Sequence, residues 1–257
     1  MGSSAAKGKA WRARAALALA VMAVAALSSA GVAGATSLTP GDVVIYRVGN
    51  GTEALTSSAT SASLDELDPN GSLAATVAFP TVVTGANKPL VASGSSGSEG
   101  LLTLSSNGEY VLAAGYATAV GTTNVSATKA KTVARTVGRV NGKGEINTTT
   151  ALGDFANENN PRGATSSDGT KIWVGGAGTG TTGGVHATTL GATTSTALHE
   201  VDTNVRQVAI ANGQLYTSAD PTKAGALTIA TVGSGLPTTV KQTITNLPFA
   251  TAPEQPF

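Results

Sequence analysis

An all-β fold assembled from repeated hairpins is predicted by three features of this chain. The first is a phrase that occurs twice. Ser105-Ser106-Asn107-Gly108-Glu109-Tyr110-Val111-Leu112-Ala113-Ala114-Gly115 returns as Ser166-Ser167-Asp168-Gly169-Thr170-Lys171-Ile172-Trp173-Val174-Gly175-Gly176. Each copy is a polar turn feeding a short apolar strand that ends on glycine, and such a repeat marks one supersecondary block used several times. The second is a set of Asn-Gly and Asp-Gly pairs between apolar runs, beginning at Asn70, Asn107, Asn141, Asp168 and Asn212. Both residues of such a pair tolerate positive φ, so each pair predicts a tight hairpin. The third is composition. Thr, Ser, Ala, Gly and Val dominate, and only 12% of residues are charged, which disfavours long helices and suits short strands.

Taken in order, the elements begin with a segment that stands apart from the fold. Lys7, Lys9, Arg12 and Arg14 precede an apolar run from Ala15 to Leu27, and Ala33-Gly34-Ala35 fits the small-residue pattern of signal cleavage. Residues 1–35 therefore read as a secretory signal cleaved after Ala35, and 36–257 as the folded domain. The run is shorter than the roughly 20 residues that span a bilayer, so stable membrane insertion is not expected. With the four basic residues gone, the formal net charge falls from +1 to −3. No basic cluster is left to attract nucleic acid or anionic lipid. The chain has no cysteine, and a domain of this length can bury a sufficient core without disulfides.

Val43-Val44-Ile45-Tyr46-Arg47-Val48 opens the domain as a β-branched strand ended by Gly49-Asn50-Gly51. Ser63 to Leu67 meets the turn Asp68-Pro69-Asn70-Gly71, and Leu73 to Phe79 returns from it. Two kinds of hairpin then alternate. The repeated phrase is strongly apolar, with Ile210-Ala211-Asn212-Gly213-Gln214-Leu215-Tyr216 as a looser third copy, whereas Leu67–Phe79 and Val140–Leu152 are more polar. A buried hairpin alternating with an exposed one is what a four-stranded propeller blade requires. The expected architecture is a β-propeller-like array of about four to five blades, possible as an incomplete ring, with a β-sandwich or β-solenoid as the rival. The strict copies lie 61 residues apart, so long loops are needed, and Gly94–Ser98 and Gly175–Gly184 are the candidates.

The Ser-Ser-Asp-Gly phrase with its apolar strand resembles the repeat of secreted bacterial β-propellers of the YVTN/NHL type. The run Leu38 to Gly51, with Leu64-Asp65-Glu66 and Gly71-Ser72-Leu73 after it, is similar to the opening of a family of secreted, largely uncharacterised propeller-like proteins. The resemblance implies a propeller and carries no catalytic residues. It also implies a longer chain, so an incomplete ring or a truncated product of a longer gene is one reading. An open ring would expose sheet edges and favour self-association.

Several constellations point to chemistry. Gly178-Thr179-Gly180-Thr181-Thr182-Gly183 matches a dinucleotide fingerprint, but Gly184 to Thr189 after it reads as a strand rather than the required helix, so the match is a loop. Glu66, Asp68 and Asn70 have the early spacing of a calcium loop, although Val77 stands where the bidentate acid belongs. Calcium is the one cofactor this spacing admits, against a solvated turn formed by Asp65, Glu66 and Asp68. No G-x-S-x-G elbow is present, and His186 and His199 are the two histidines available for hydrolysis or zinc. Asn50, Asn70, Asn124 and Asn147 head N-x-[ST] triplets, glycosylation sites if the source is a eukaryote. The expected function is a secreted extracellular or cell-surface scaffold or binding module, its partner a glycan or another extracellular protein. The alternative is a secreted metal-dependent hydrolase or lyase with a site on the propeller axis.

Overall fold

Strand follows strand along the domain, as the glycine-punctuated sequence dictates. The computed structural model describes residues 36–199, 204–219 and 229–248, which belong to the unit Gly34–Phe257; the predicted signal and its cleavage point at Ala35 lie outside them. Among the described residues the order is β1 (Val43–Val48), β2 (Ala59–Leu67), β3 (Leu73–Ala78), β4 (Val91–Ser93), β5 (Thr103–Leu104), β6 (Tyr110–Tyr116), β7 (Arg135–Asn141) and β8 (Ile146–Leu152). Then come β9 (Pro161–Ser166), β10 (Lys171–Gly176), β11 (Gly184–Thr189), β12 (Thr196–Ala197), β13 (Val205–Ala211), β14 (Gln214–Ala219), β15 (Ile229–Val232) and β16 (Ile244–Asn246). The only helices among these residues are single 3-10 turns at Val125–Ala127 and Gly180–Thr182.

All pairing between these strands is antiparallel, and it builds three sheets. The first holds β1 to β8, the second runs β12-β11-β10-β9, and the third runs β13-β14-β15-β16. None closes into a barrel. In the first sheet β4 joins two parts, because it pairs with the start of β2 and with Tyr116 of β6. The five Asn-Gly and Asp-Gly pairs at Asn70, Asn107, Asn141, Asp168 and Asn212 form the hairpin turns β2–β3, β5–β6, β7–β8, β9–β10 and β13–β14.

Period-two alternation divides the core into layers. On β6, Val111 and Ala113 face a cluster with Ala62, Leu64, Val77 and Phe79, while Leu112 faces a second cluster with Val137, Leu152 and Phe155. On β10, Ile172 and Val174 join that second cluster, and Trp173 turns the other way to meet Val185, Leu198, Val208 and Leu215. These two strands are buried on both faces, which is why they read as continuous apolar runs. Tyr110, Ile172 and Trp173 are thus packing residues, and Trp173 is fully buried with its Nε1 donating to Pro237 O at 2.7 Å.

The two strict copies of the repeated phrase touch each other. Ser106 N donates to Ser166 O at 2.9 Å and Asn107 N to Ser167 O at 3.2 Å, so one turn docks on the next. Arg139 lies over the Tyr110 ring at 4.4 Å and donates to Gly169 O, closing the contact from the side. The 61-residue spacing does not come from the predicted loops. Gly175 and Gly176 belong to β10, and Gly94–Ser98 precedes the first copy; the extra length is the 117–134 connection between β6 and β7. That connection is folded onto the sheet, with Val125 and Val133 packed beside Tyr116 and Val91.

Within the second copy, Asp168 Oδ1 accepts the N–H of Thr170 at 2.8 Å and of Lys171 at 2.9 Å, and the Thr170 hydroxyl at 2.7 Å. The Lys171 N–H, with Thr170 beside it, lowers this carboxyl to about 2. Its contribution to stability is complete above the ordinary carboxylate range and is lost as pH falls from about 4 toward that value. Asp168→Asn keeps the acceptor oxygen and removes the titration. Its urea midpoint is expected to fall less steeply with acid across this window, and parallel slopes for the two proteins would refute the assignment.

The long free edges differ. The β8 edge is covered by the turn after β11, through Ala151 N to Ala192 O and Gly153 N to Thr193 O. Among the described residues β1 pairs on one side only, with β2, and Val43 and Ile45 on it are exposed.

Candidate functional site

One connection, 153–160 between β8 and β9, gathers the chemically distinctive side chains of the domain. Its backbone is strained: Ala156 and Glu158 have φ of 48° and 55°, in the left-handed region that non-glycine residues rarely occupy. Such conformations persist where surrounding contacts over-determine them, and they concentrate at functional sites.

On one side the connection is held by Arg135 at the start of β7, only 1% exposed. Its guanidinium donates to Ala156 O from Nε at 3.1 Å and from Nη2 at 2.8 Å, to Val133 O at 2.6 Å, and to Thr128 O at 2.7 Å. Asn159 O and the Thr128 hydroxyl complete the set, and the cation lies 4.9 Å from the Tyr116 ring centre. Burial lowers the pKa of this arginine, and among the described residues no carboxylate bonds to it directly. Tyr116 continues the chain of contacts by donating to Glu99 Oε1 at 2.7 Å, and Asn160 Nδ2 donates to the same oxygen at 2.5 Å. Burial raises the Glu99 carboxyl above its ordinary value, and the bonds from Tyr116, Ser93 N and Asn160 oppose that rise. All five Arg135 donors are spent on neighbours, so this network fixes the loop.

On the other side the connection meets His186 of β11. Asp154 Oδ2 accepts the Ser195 N–H at 2.8 Å, and Oδ1 lies 3.0 Å from Ser195 Oγ. That same Oγ lies 2.8 Å from His186 Nδ1, and His186 Nε2 lies 3.1 Å from Gly183 O. The Phe155 ring packs edge-on against the imidazole at 4.9 Å. The ring is 2% exposed, and burial lowers its pKa against the carbonyls of Gly183 and Thr181 and the charge of Asp154.

Ser195 also lines a recess of about 290 Å³. Thr188 and Thr189 of β11, Thr194 and Thr196 beside Ser195, and Thr238 of the β15–β16 connection supply its hydroxyls, with the methyls of Ala187 and Ala192 between them. Among the described residues no charged side chain lines it. Thr238 is held in place by Trp173, whose bond to Pro237 O fixes the preceding residue, and by Gln242 N donating to Leu198 O at 2.8 Å. Acyl transfer is poorly served by this geometry. The carboxylate sits on the serine rather than on the histidine, and it occupies the Ser195 N–H that an oxyanion would need.

The residues singled out from sequence fall elsewhere. Asp65 and Glu66 are not a solvated turn: both lie in β2 and are 5% and 1% exposed. Arg47 Nε bonds Asp65 at 2.5 Å, with Thr76 and Ser63 beside it, and Glu66 accepts the Thr39 N–H. Asp68 is turned onto its own hairpin, taking Asn70 N and Ser72 N at 2.9 and 2.8 Å. The carboxylates of Glu66 and Asp68 are therefore committed to different partners. Among the described residues no three His, Cys, Asp or Glu side chains converge on a point. His186 is a strand residue as expected, and His199 is half-buried just beyond β12. The glycine-rich 178–183 is a loop with one 3-10 turn leading into β11. Asn50, Asn70 and Asn124 are exposed, and Asn147 is half-buried in β8. Among the described residues no helix is long and apolar enough to cross a membrane.

Sequence reading missed Arg135, Glu99, Asp154 and Ser195. Arg135 was detectable in principle as a basic residue inside an apolar strand. The others carry no local signal. Comparison with protein-family models and with curated proteins finds no match for the chain.

Proposed function

We propose that this chain is an extracellular binding module, built as a β-propeller-like array, whose β11–β12 recess takes a neutral polyhydroxylated ligand such as a glycan. The lining carries the reading: six hydroxyl side chains and two alanines, with no charge, around about 290 Å³. Hydroxyls both donate and accept, so they match the mixed demand of sugar hydroxyls, and an uncharged wall does not favour phosphate, sulfate or a cation. The volume is at the small end of ligand sites, which start at roughly 300 Å³, and suits one sugar ring of a longer chain. The array part of the proposal is supported by the hairpin meander common to successive strand groups and by the side-by-side docking of the repeated turns. The basic and apolar N-terminal run supports export.

The test is ligand-observed NMR with glucose, galactose, mannose and N-acetylglucosamine at millimolar concentration. At least one sugar is expected to show saturation transfer that is lost when Thr196→Val and Thr238→Val are combined. Transfer from none of the four, or transfer indifferent to that double variant, would overturn the assignment.

A further inference from the structure

We infer that Asp154, Ser195 and His186 form a proton-operated latch beneath the recess, which weakens the hold on a polyhydroxylated ligand as the surroundings acidify. The inference rests on the recess being the binding site, and it follows from counting protons.

Ser195 has one hydroxyl proton and two claimants for it. His186 Nδ1 lies 2.8 Å away and Asp154 Oδ1 lies 3.0 Å away, and a carboxylate has no proton of its own to offer. On the far side of the ring Gly183 O can only accept, which requires a proton on Nε2. With the imidazole neutral, that proton sits on Nε2 and Nδ1 is bare. The serine proton then serves either Nδ1 or Oδ1, and one of the two contacts is left as facing lone pairs. With the imidazolium, Nδ1–H donates to Ser195 Oγ, the serine donates to Oδ1, and Nε2–H donates to Gly183 O. Every contact is satisfied, and none of the acceptor capacity between Ser195 and Asp154 is left wanting a proton.

With the imidazole neutral, Ser195 Oγ accepts from neither neighbour and both its lone pairs are open to a ligand hydroxyl; with the imidazolium, one of them is taken by Nδ1–H. Binding is therefore favoured at neutral pH and relaxed in acid. Among the described residues the surroundings of the ring hold no competing charge in this balance. Asp154 is the charged group acting on it; β10 and β12 place Val174 and Ala197 opposite His186, and the segment before β11 presents the Gly183 and Thr181 carbonyls. Phe155 closes the remaining side. Burial lowers the pKa of the ring, and the Gly183 carbonyl and then the charge of Asp154 oppose that.

The test has two readouts on the full folded domain. The first is the ring ¹⁵N chemical shifts of His186 between pH 8 and 4, in the wild type, Ser195→Ala and Asp154→Asn. Protonation of Nδ1 is expected at a lower pH in both variants, because each breaks the chain that steadies the imidazolium. The second is the affinity of the sugar identified in the four-sugar panel at one pH above and one below the His186 titration found by the first readout. One hydrogen bond's worth of loss, about three- to tenfold weaker binding in acid, is expected in the wild type and not in Ser195→Ala. Equal affinity at both pH values, or a His186 titration unmoved by either variant, overturns the latch and leaves the binding site standing. No sugar bound at either pH overturns the binding site itself, and the coupling with it.

Discussion

Replacing Arg135 with methionine is expected to cost about 3–5 kcal/mol of folding free energy, the largest effect of any single substitution considered for this domain. Methionine fills much of the volume but donates nothing. The buried carbonyls of Val133 and Ala156 then lose this donor, as do the half-buried ones of Thr128 and Asn159. Ala156 and Glu158 also lose the grip that holds their left-handed backbone. Urea denaturation should show a lower midpoint with an unchanged slope, since the change acts on the native state. Arg135→Lys keeps the charge and three donors without the planar fork, so it should recover only part of the loss. A midpoint for Arg135→Met within about 1 kcal/mol of wild type would show that the loop holds itself.

The second large effect belongs to Gly169. Its φ is +81°, and a Cβ built there would lie 2.5 Å from the Tyr110 ring and 3.0 Å from Arg139 Nη1. Gly213, at the same place in the looser copy, has φ of +73° and open space around it. Alanine at Gly213 therefore meets only the backbone penalty, about 1 kcal/mol after the stiffer unfolded chain is counted. Alanine at Gly169 adds a collision with a packed ring, about 3 kcal/mol altogether. The difference between the two urea midpoints isolates what the contact between the repeated turns contributes. Equal losses would mean that the Tyr110–Gly169 contact is incidental.

These two residues also show what the sequence makes legible. Gly169 follows Asp168 in a short-range signal, and the pairs at Asn70, Asn107, Asn141, Asp168 and Asn212 each form the hairpin they predict, because the information for a tight turn is contained in the turn. Arg135 satisfies itself with backbone carbonyls, which every residue carries, so no residue type betrays its partners. Asp154 and Ser195 are 41 residues apart and meet only once β8 and β11 are brought together. Asp65 and Glu66 look like solvated acids beside a turn, and only the pairing with Arg47 and Thr39 across β1 shows why they can be buried. The loop lengths fail for a similar reason. Glycine-rich runs suggest long excursions, yet Gly175 and Gly176 are pressed against Val205, Val208 and Phe155 inside the second sheet. Apolar and mixed residues between Ala117 and Ala134 give no sign of being the true insertion.

The two-faced burial of β6 and β10 has a consequence for how the domain comes apart. The layer around Leu112 and Ile172 is shared by the first and second sheets and the layer around Trp173 and Val208 by the second and third, so no sheet can leave without stripping one face of its neighbour. Free energy is then stored in the junctions between layers more than in the layers themselves, as in a row of coupled repeats. Opening must begin at an end of that row and advance inward, which leaves β10 and the Ile172–Val174 segment as the last structure to let go.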